Sequence, residues 1–256
     1  MKEINEIKRN ILKVANLAGE GHLGSSFSIL DILFVLYSGK ANISPSNQNS
    51  SDRDFIILSK GHASLGHAAI LENKGFITKE EFRSYCSHES ILGGHLSRCS
   101  VPGVEVSTGT LGHGVAVGAG IALSSKIRSI KNKVFIIVGD GEMNEGTFWE
   151  TLLLSSHHCL DNLVFIIDFN RSNDRALKLD PLEEKLKSFG CDVEVVDGHS
   201  HEDLKRSLNT SPNKKPKALI ANTIKGKGIP EMENNPAWHH KTPTDDDLLR
   251  MLEELN

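Results

Sequence analysis

The sequence predicts an α/β fold built on a parallel β-sheet with crossover helices. Two observations carry that expectation: five short runs rich in β-branched and aromatic residues recur along the 256 residues, and helix-length segments separate them. Composition agrees, since 38% hydrophobic and 24% charged residues suffice for one substantial core in a single domain spanning 1–256.

In chain order, an amphipathic pattern predicts a first helix over 3–18 and a second over 28–38, followed by the first strand, FIIL at 55–58. Helices at 62–74 and 78–86 come next. The stretch from Ser87 to Gly114 is rich in Gly and Ser and lacks periodicity, and a loop that long in a compact domain is usually functional. A helix at 114–129 leads into the strand VFIIV at 134–138, and a helix at 145–159 into LVFIID at 163–168. The pattern continues with a helix at 181–189, the strand DVEVV at 192–196, a helix at 201–209 and the strand KALIANT at 217–223. A second irregular stretch covers 225–243. The last helix lies in TDDDLLRMLEEL, where Thr244 suits the N-cap and three aspartates suit the first turn.

A net charge of −4, from 29 basic and 33 acidic residues, gives no electrostatic basis for binding nucleic acid or an anionic membrane. Cys86, Cys99, Cys159 and Cys191 form no C-x-x-C pair, which implies a reducing compartment. The N-terminus is charged and amphipathic, and no run of eighteen apolar residues occurs, so a soluble cytoplasmic protein is expected.

Chemistry concentrates in VFIIVGDGEMNEG, residues 134–146, where an apolar run ends in Asp140 between Gly139 and Gly141. Ligands of open parallel sheets bind at the carboxyl ends of strands, and flanking glycines let an anion approach the backbone. Asn170 follows the next strand, so a carboxylate and an amide would face one crevice. Oxygen-only ligands suit Mg2+ or Ca2+ rather than zinc. Six histidines follow glycine directly: His22, His62, His67, His95, His113 and His199. Of these, His67 and His199 read best as solvated loop residues. The glycines at 109, 112, 114, 118 and 120 are not spaced as G-x-G-x-x-G, which weakens a dinucleotide reading. HHC at 157–159 reads as a helix end rather than a zinc site, and Phe148 and Trp149 as packing. Lys225 and Lys227 suit either an anion or a solvated basic loop.

GDGEMNEG followed by DFN resembles the thiamine-diphosphate motif. Together with GEGHLGSSFS, LSKGHASLGHA, GGHLSRCSVPGVEVSTGTLGHG and KGKGIPEMENNPAWHHK, in that order along nearly the whole chain, it resembles the transketolase family. The resemblance implies a thiamine-diphosphate-binding fold, with helices on both faces of the parallel sheet. It implies thiamine diphosphate held through Mg2+ (or Ca2+), with Asp140, Asn170 and the carbonyl of Ser172 as metal ligands. His62, Gly109, Thr110, Leu111, Gly139, Gly141, Glu145, Asn170 and His239 would contact the cofactor, and His22, His95 and His239 would be catalytic, acting on substrate oxygens. Three positions depart from the family pattern: His240 follows His239 where glycine is usual, RSNDRA follows Asn170, and GHL replaces G-H-P twice.

The same resemblance is to the N-terminal subunit of a split transketolase, which would move a two-carbon ketol unit from a ketose phosphate to an aldose. The pyrimidine-binding and C-terminal domains are then expected on a separate partner chain in an α2β2 assembly, with sugar phosphates as substrates. Competing readings are the α-subunit of a 2-oxo acid dehydrogenase, a variant that acts on an unusual sugar, and a cofactor-binding module without catalysis. A Mg2+-dependent phosphohydrolase lacks a nucleophile and a second carboxylate cluster.

Overall fold

The computed structural model describes residues 2–210 and 214–255. Strands β1 (Phe55–Leu58), β2 (Val134–Gly139), β3 (Leu163–Phe169), β4 (Asp192–Asp197) and β5 (Lys217–Asn222) form one sheet in the order β1-β2-β3-β5-β4. Every neighbouring pair is parallel, and the register sets Gly139 beside Asp168 and Asp168 beside Ala221. The helices, in chain order, are α1 (Lys2–Ala18), α2 (Leu23–Val35), α3 (Ser64–Asn73), α4 (Lys79–Arg83), α5 (His113–Ile127), α6 (Gly146–His157), α7 (Leu182–Ser188), α8 (His201–Asn209) and α9 (Asp245–Glu254).

Alternate strand residues feed two cores, because successive side chains in a strand point to opposite faces. Phe135, Ile137, Ile166 and Leu219 pack with apolar residues of α1, α2, α3, α8 and α9. Ile136, Val138, Phe165 and Ile220 pack with those of α5, α6 and α7. Such two-sided burial accounts for the unbroken apolar runs of β2 and β3. Edge strand β4 is only partly buried and carries Asp192, Glu194 and Asp197, charges that discourage pairing with another chain.

All five strands begin at the residues expected from sequence. The second helix does not, since it starts at Leu23 rather than 28 and ends in a π-turn over Leu36–Lys40. Its first turns carry the buried serines 25, 26 and 28. Ser26 Oγ accepts from the Gly66 amide at 3.1 Å, and a Cβ on Gly66 would lie 2.9 Å from Ser26 Cβ. Small residues here permit a close crossing of α2 and α3. Thr244 caps α9 as expected, with a reciprocal capping box to Asp247. The Ser87–Gly114 stretch forms no helix or strand before α5 begins at His113, and 225–243 holds a single 3-10 turn at Pro236–Trp238. No described helix is long and apolar enough to cross a membrane.

Candidate functional site

The connections leaving β1, β2, β3 and β5 surround a cavity of about 880 Å3 at the carboxyl edge of the sheet. Asp140 lies in its wall, 4% exposed. One carboxylate oxygen, Oδ1, accepts from the Gly141 amide at 2.8 Å, while Oδ2 is buried and makes no hydrogen bond among the described residues. Burial first, and the Asp168 carboxylate second, raise the Asp140 carboxyl above its ordinary range, with partial relief from the Gly141 amide, Lys60 and the Asn173 amide. A buried carboxylate oxygen without a donor is a costly arrangement that a bound cation would relieve.

Asn170 sits at the end of β3 on the same wall. Its Nδ2 donates to Asp168 Oδ2 at 3.0 Å and to Ser28 Oγ at 3.3 Å, which turns Oδ1 the other way. There Oδ1 accepts from the Ser172 amide at 3.0 Å and keeps a second lone pair. Among the described residues no three His, Cys, Asp or Glu side chains gather as a metal-binding group. A cation beside Asp140 would therefore draw on amide and carbonyl oxygens, a hard set suited to Mg2+ or Ca2+.

Asp168 anchors these groups from below. It is fully buried and accepts from Lys60 Nζ, Ser28 Oγ, Thr223 Oγ1 and Asn170 Nδ2. Burial alone would raise its carboxyl, but Lys60 and the two hydroxyls hold it below the ordinary range. Two carboxylates near one another are thus kept in opposite states of satisfaction: Asp168 saturated, Asp140 open. A third, Glu142, accepts from Ser59 Oγ (2.5 Å), the Gly112 amide (2.8 Å) and the Gly139 amide (3.2 Å), tying the ends of β1 and β2 to the start of α5. Gly112, at φ +81°, takes a left-handed conformation that favours glycine.

Four histidines rim the cavity: His22, His62, His95 and His239. The His22 ring lies 5.4 Å from both His62 and His239, edge-on to each. Burial pushes His62 down to about 2 and His22 to about 4, and it also lowers His239, so these three rings are neutral near pH 7. His95 is exposed and packs on Gly61 and Gly109. A Cβ on Gly61 would fall 2.9 Å from the Gly109 amide nitrogen, so only glycine permits this approach. Lys225 Nζ lies 2.9 Å from His239 Nδ1. An ammonium can only donate, so Nδ1 accepts and the His239 proton resides on Nε2.

Most residues singled out in the sequence therefore converge. The cavity is lined by His22, His62, His95, Gly109, Leu111, Gly139, Asp140, Gly141, Asn170, Ser172 and His239. Thr110 and Glu145 are exposed and lie outside it, with Glu145 at the entry to α6 against Gly112. His239, rather than His240, faces the cavity, and the His240 ring stacks edge-on 4.6 Å from His22. His113 is exposed at the start of α5. Of the two lysines, Lys225 lines the cavity, whereas Lys227 pairs with Glu233 at 3.6 Å.

Two histidines correct the sequence reading. His67 is not a solvated loop residue: it is 2% exposed within α3, and Nε2 meets the Tyr37 hydroxyl at 2.8 Å. His199 is held between Asp31 and the Ile224 amide. Their partners lie 30, 168 and 25 residues away, which local pattern does not reveal. Sequence reasoning also passed over Lys60, Asp168 and Glu142. A signal was present, since an aspartate ending a fully apolar buried strand requires a cationic partner, and Lys60 precedes His62 in LSKGH.

A family model described as the transketolase thiamine-diphosphate-binding domain matches residues 2–255. One of the subunits of the apulose-4-phosphate transketolase of Actinobacillus succinogenes is 38% identical over 261 residues, covering 99% of this chain and 95% of that protein. The 6-deoxy-6-sulfo-D-fructose transketolase subunit SqwG of Clostridium sp. strain MSTE9 is 31% identical over 251 residues, covering 95% of this chain and 91% of its own length. Among solved structures, the transketolase of Campylobacter jejuni superposes with a TM-score of 0.92 at 27% identity, over 99% of this chain and 42% of that one. The fold, the cavity at the sheet edge and these matches agree that the chain belongs to the transketolase family, through its thiamine-diphosphate-binding domain.

Proposed function

We propose that this chain is the cofactor-diphosphate-binding subunit of a two-carbon ketol transferase, and that a second polypeptide carrying a pyrimidine-binding domain completes its active site. The observation that carries the proposal is the buried Oδ2 of Asp140, without a hydrogen bond among the described residues, in the wall of a cavity rimmed by four histidines. Asp140, Asn170 Oδ1 and the Ser172 carbonyl would hold Mg2+ or Ca2+, which would bind the diphosphate. His62, Gly109, Leu111, Gly139 and Gly141 would pack along the cofactor. Thr110 and Glu145 lie outside the cavity, where contact with the partner chain would account for them.

Bound thiamine diphosphate supplies the nucleophilic carbon and electron sink for breaking and forming a C–C bond beside a carbonyl. This chain's part is orientation and proton handling. His239, with its proton on Nε2 and Lys225 donating to Nδ1, offers a hydrogen bond to a substrate oxygen in the cavity. His22 and His62 are neutral near pH 7, so each can donate one ring N–H and accept at the other ring nitrogen, holding a hydroxyl or phosphate oxygen in place without carrying charge. Donors aimed at an oxygen that gains negative charge stabilise that charge most where water is excluded. His95, at the mouth of the cavity, would contact substrate hydroxyls.

Relatives of nearly the same length that are named as single subunits of a transketolase support a separate partner chain, and we place the assembly in the cytoplasm as an α2β2 heterotetramer. They are also named for unusual sugars, so apulose 4-phosphate and 6-deoxy-6-sulfo-D-fructose belong in the assay beside fructose 6-phosphate. In the test, the chain is titrated calorimetrically with thiamine diphosphate and Mg2+, alone and with the candidate partner, and two-carbon transfer is then assayed. Turnover is expected only with the partner present, with a sugar donor and not with pyruvate. Full transfer by the isolated chain would refute the split-site reading, and pyruvate turnover would favour a 2-oxo acid dehydrogenase subunit.

A further inference from the structure

A cluster at the start of α8 lies outside the cavity wall yet is bonded to a segment that forms it. Asp31, in the middle of α2 and 8% exposed, accepts from two imidazoles: His199 Nδ1 at 2.9 Å on Oδ2, and His201 Nε2 at 2.7 Å on Oδ1. The other ring nitrogen of His199, Nε2, lies 2.9 Å from the Ile224 amide nitrogen. A backbone N–H can only donate, so Nε2 accepts, and the His199 proton resides on Nδ1 facing the carboxylate. Both of these bonds are satisfied in one tautomer of the neutral ring and in no other.

What His199 holds matters more than what holds it. Ile224 follows Thr223, which donates to Asp168, and precedes Lys225, which is buried in the cavity wall and donates to His239. The backbone beyond is tied back by the Gly226 amide to the Gly24 carbonyl at 3.0 Å, and by the Asn234 amide to the Lys225 carbonyl at 2.9 Å. Thr223 is tied to α2 as well, through Ser28 Oγ at 3.2 Å, and the His199 ring is the side chain that links the Ile224 amide itself to Asp31 of α2. His201, by contrast, shares Asp31 but stacks on Phe34 of α2 at 5.4 Å.

We propose that His199, oriented by Asp31, is a positioning residue for the transferase site: it fixes the Ile224–Lys225 turn and, through Lys225, sets the direction of the His239 ring. This inference rests on the catalytic reading of His239 given above. A ring that moves by about 1 Å loses much of its effect on a reacting oxygen even when the substrate still binds. The His199 strut therefore acts on turnover, whereas the cofactor is held through Asp140 and Asn170 on the other strands.

Three variants test it in the full chain, free and reconstituted with its partner: His199→Phe, His201→Phe and Asp31→Asn. Asp31→Asn removes the negative charge and replaces one of the two acceptor oxygens by an N–H donor, weakening the hold on the ring pair although the side-chain volume hardly changes. Both His199→Phe and Asp31→Asn should speed hydrogen exchange of the Ile224 amide in the free chain and lower kcat about tenfold or more. The dissociation constant for thiamine diphosphate should stay within about twofold. His201→Phe should leave kcat and Ile224 exchange near wild type. Equal losses in the His199 and His201 variants would reduce the cluster to a structural anchor for α8 and overturn the proposal, as would an unchanged Ile224 exchange rate. The exchange readout needs no activity, so failure of the wild-type enzyme to transfer a ketol unit would count against the proposed function and leave the strut itself to be judged by Ile224.

Discussion

Replacing Asp140 with asparagine is expected to make the ligand-free chain more stable and the enzyme unable to hold its cofactor. Asp140 Oδ2 is buried with no hydrogen bond among the described residues, and burial together with Asp168 raises its carboxyl. A buried unsatisfied polar atom costs about 1–3 kcal/mol, more when charged. An amide in its place remains imperfectly satisfied but carries no charge, so a net gain of about 1–2 kcal/mol follows. At roughly 2–4 °C per kcal/mol for a domain of this size, the melting temperature should rise by about 2–8 °C. The sign with pH is fixed by linkage. A carboxyl raised in the folded state favours folding below its ordinary value of 3.8 and loses that advantage as pH rises through the raised value. The stabilisation by Asp140→Asn should therefore be absent in strong acid, grow as pH rises and level off near neutrality. Scanning fluorimetry of the isolated chain between pH 4 and 8 measures it. Calorimetric titration of the reconstituted enzyme with thiamine diphosphate in Mg2+ should show binding weakened about a hundredfold, near 2.7 kcal/mol. A variant less stable than wild type at every pH, with cofactor affinity retained, would refute the argument that this oxygen awaits a cation.

Lys60→Met should have the opposite effect on stability, because it leaves Asp168 charged and buried without its cation; a loss of about 3–5 kcal/mol in urea unfolding is expected, largely recovered in Lys60→Met/Asp168→Asn. A loss below about 1 kcal/mol would show the pair to be dispensable. His67 predicts an acid-sensitive fold. Its imidazole is held down to about 4 against an ordinary 6.5, so the unfolded chain takes up the proton first and stability falls as pH drops from about 6.5 to 4. At about 1.4 kcal/mol per pH unit this amounts to roughly 3 kcal/mol. His67→Gln, which can still meet the Tyr37 hydroxyl, should remove that part of the slope in denaturant titrations across this range.

The strands were legible because burial on both faces makes their sequences unbroken apolar runs, and the irregular segments because Gly, Ser and Pro interrupt every period. The pairing of Asp140 with Asn170 across one crevice followed from parallel strands ending at the same edge. Less was visible where a side chain answers to a distant partner. α2 begins five residues early since Ser26 packs on Gly66, a contact 40 residues away. His199 and His67 follow glycine as three of the four cavity histidines do, yet Asp31 and Tyr37 draw them inward. The fold, rather than the local motif, decides which of these rings meets solvent, a carboxylate or a substrate.

The contrast between the two neighbouring aspartates also bears on descent. A lineage released from catalysis would gain fitness by discarding the residue at 140, whose charge burdens the empty protein. The one at 168 would persist, since α2, β1, β3 and β5 all lean on it through side-chain bonds. Decay of the activity should thus leave its mark first at the open carboxylate, long before the saturated one changes.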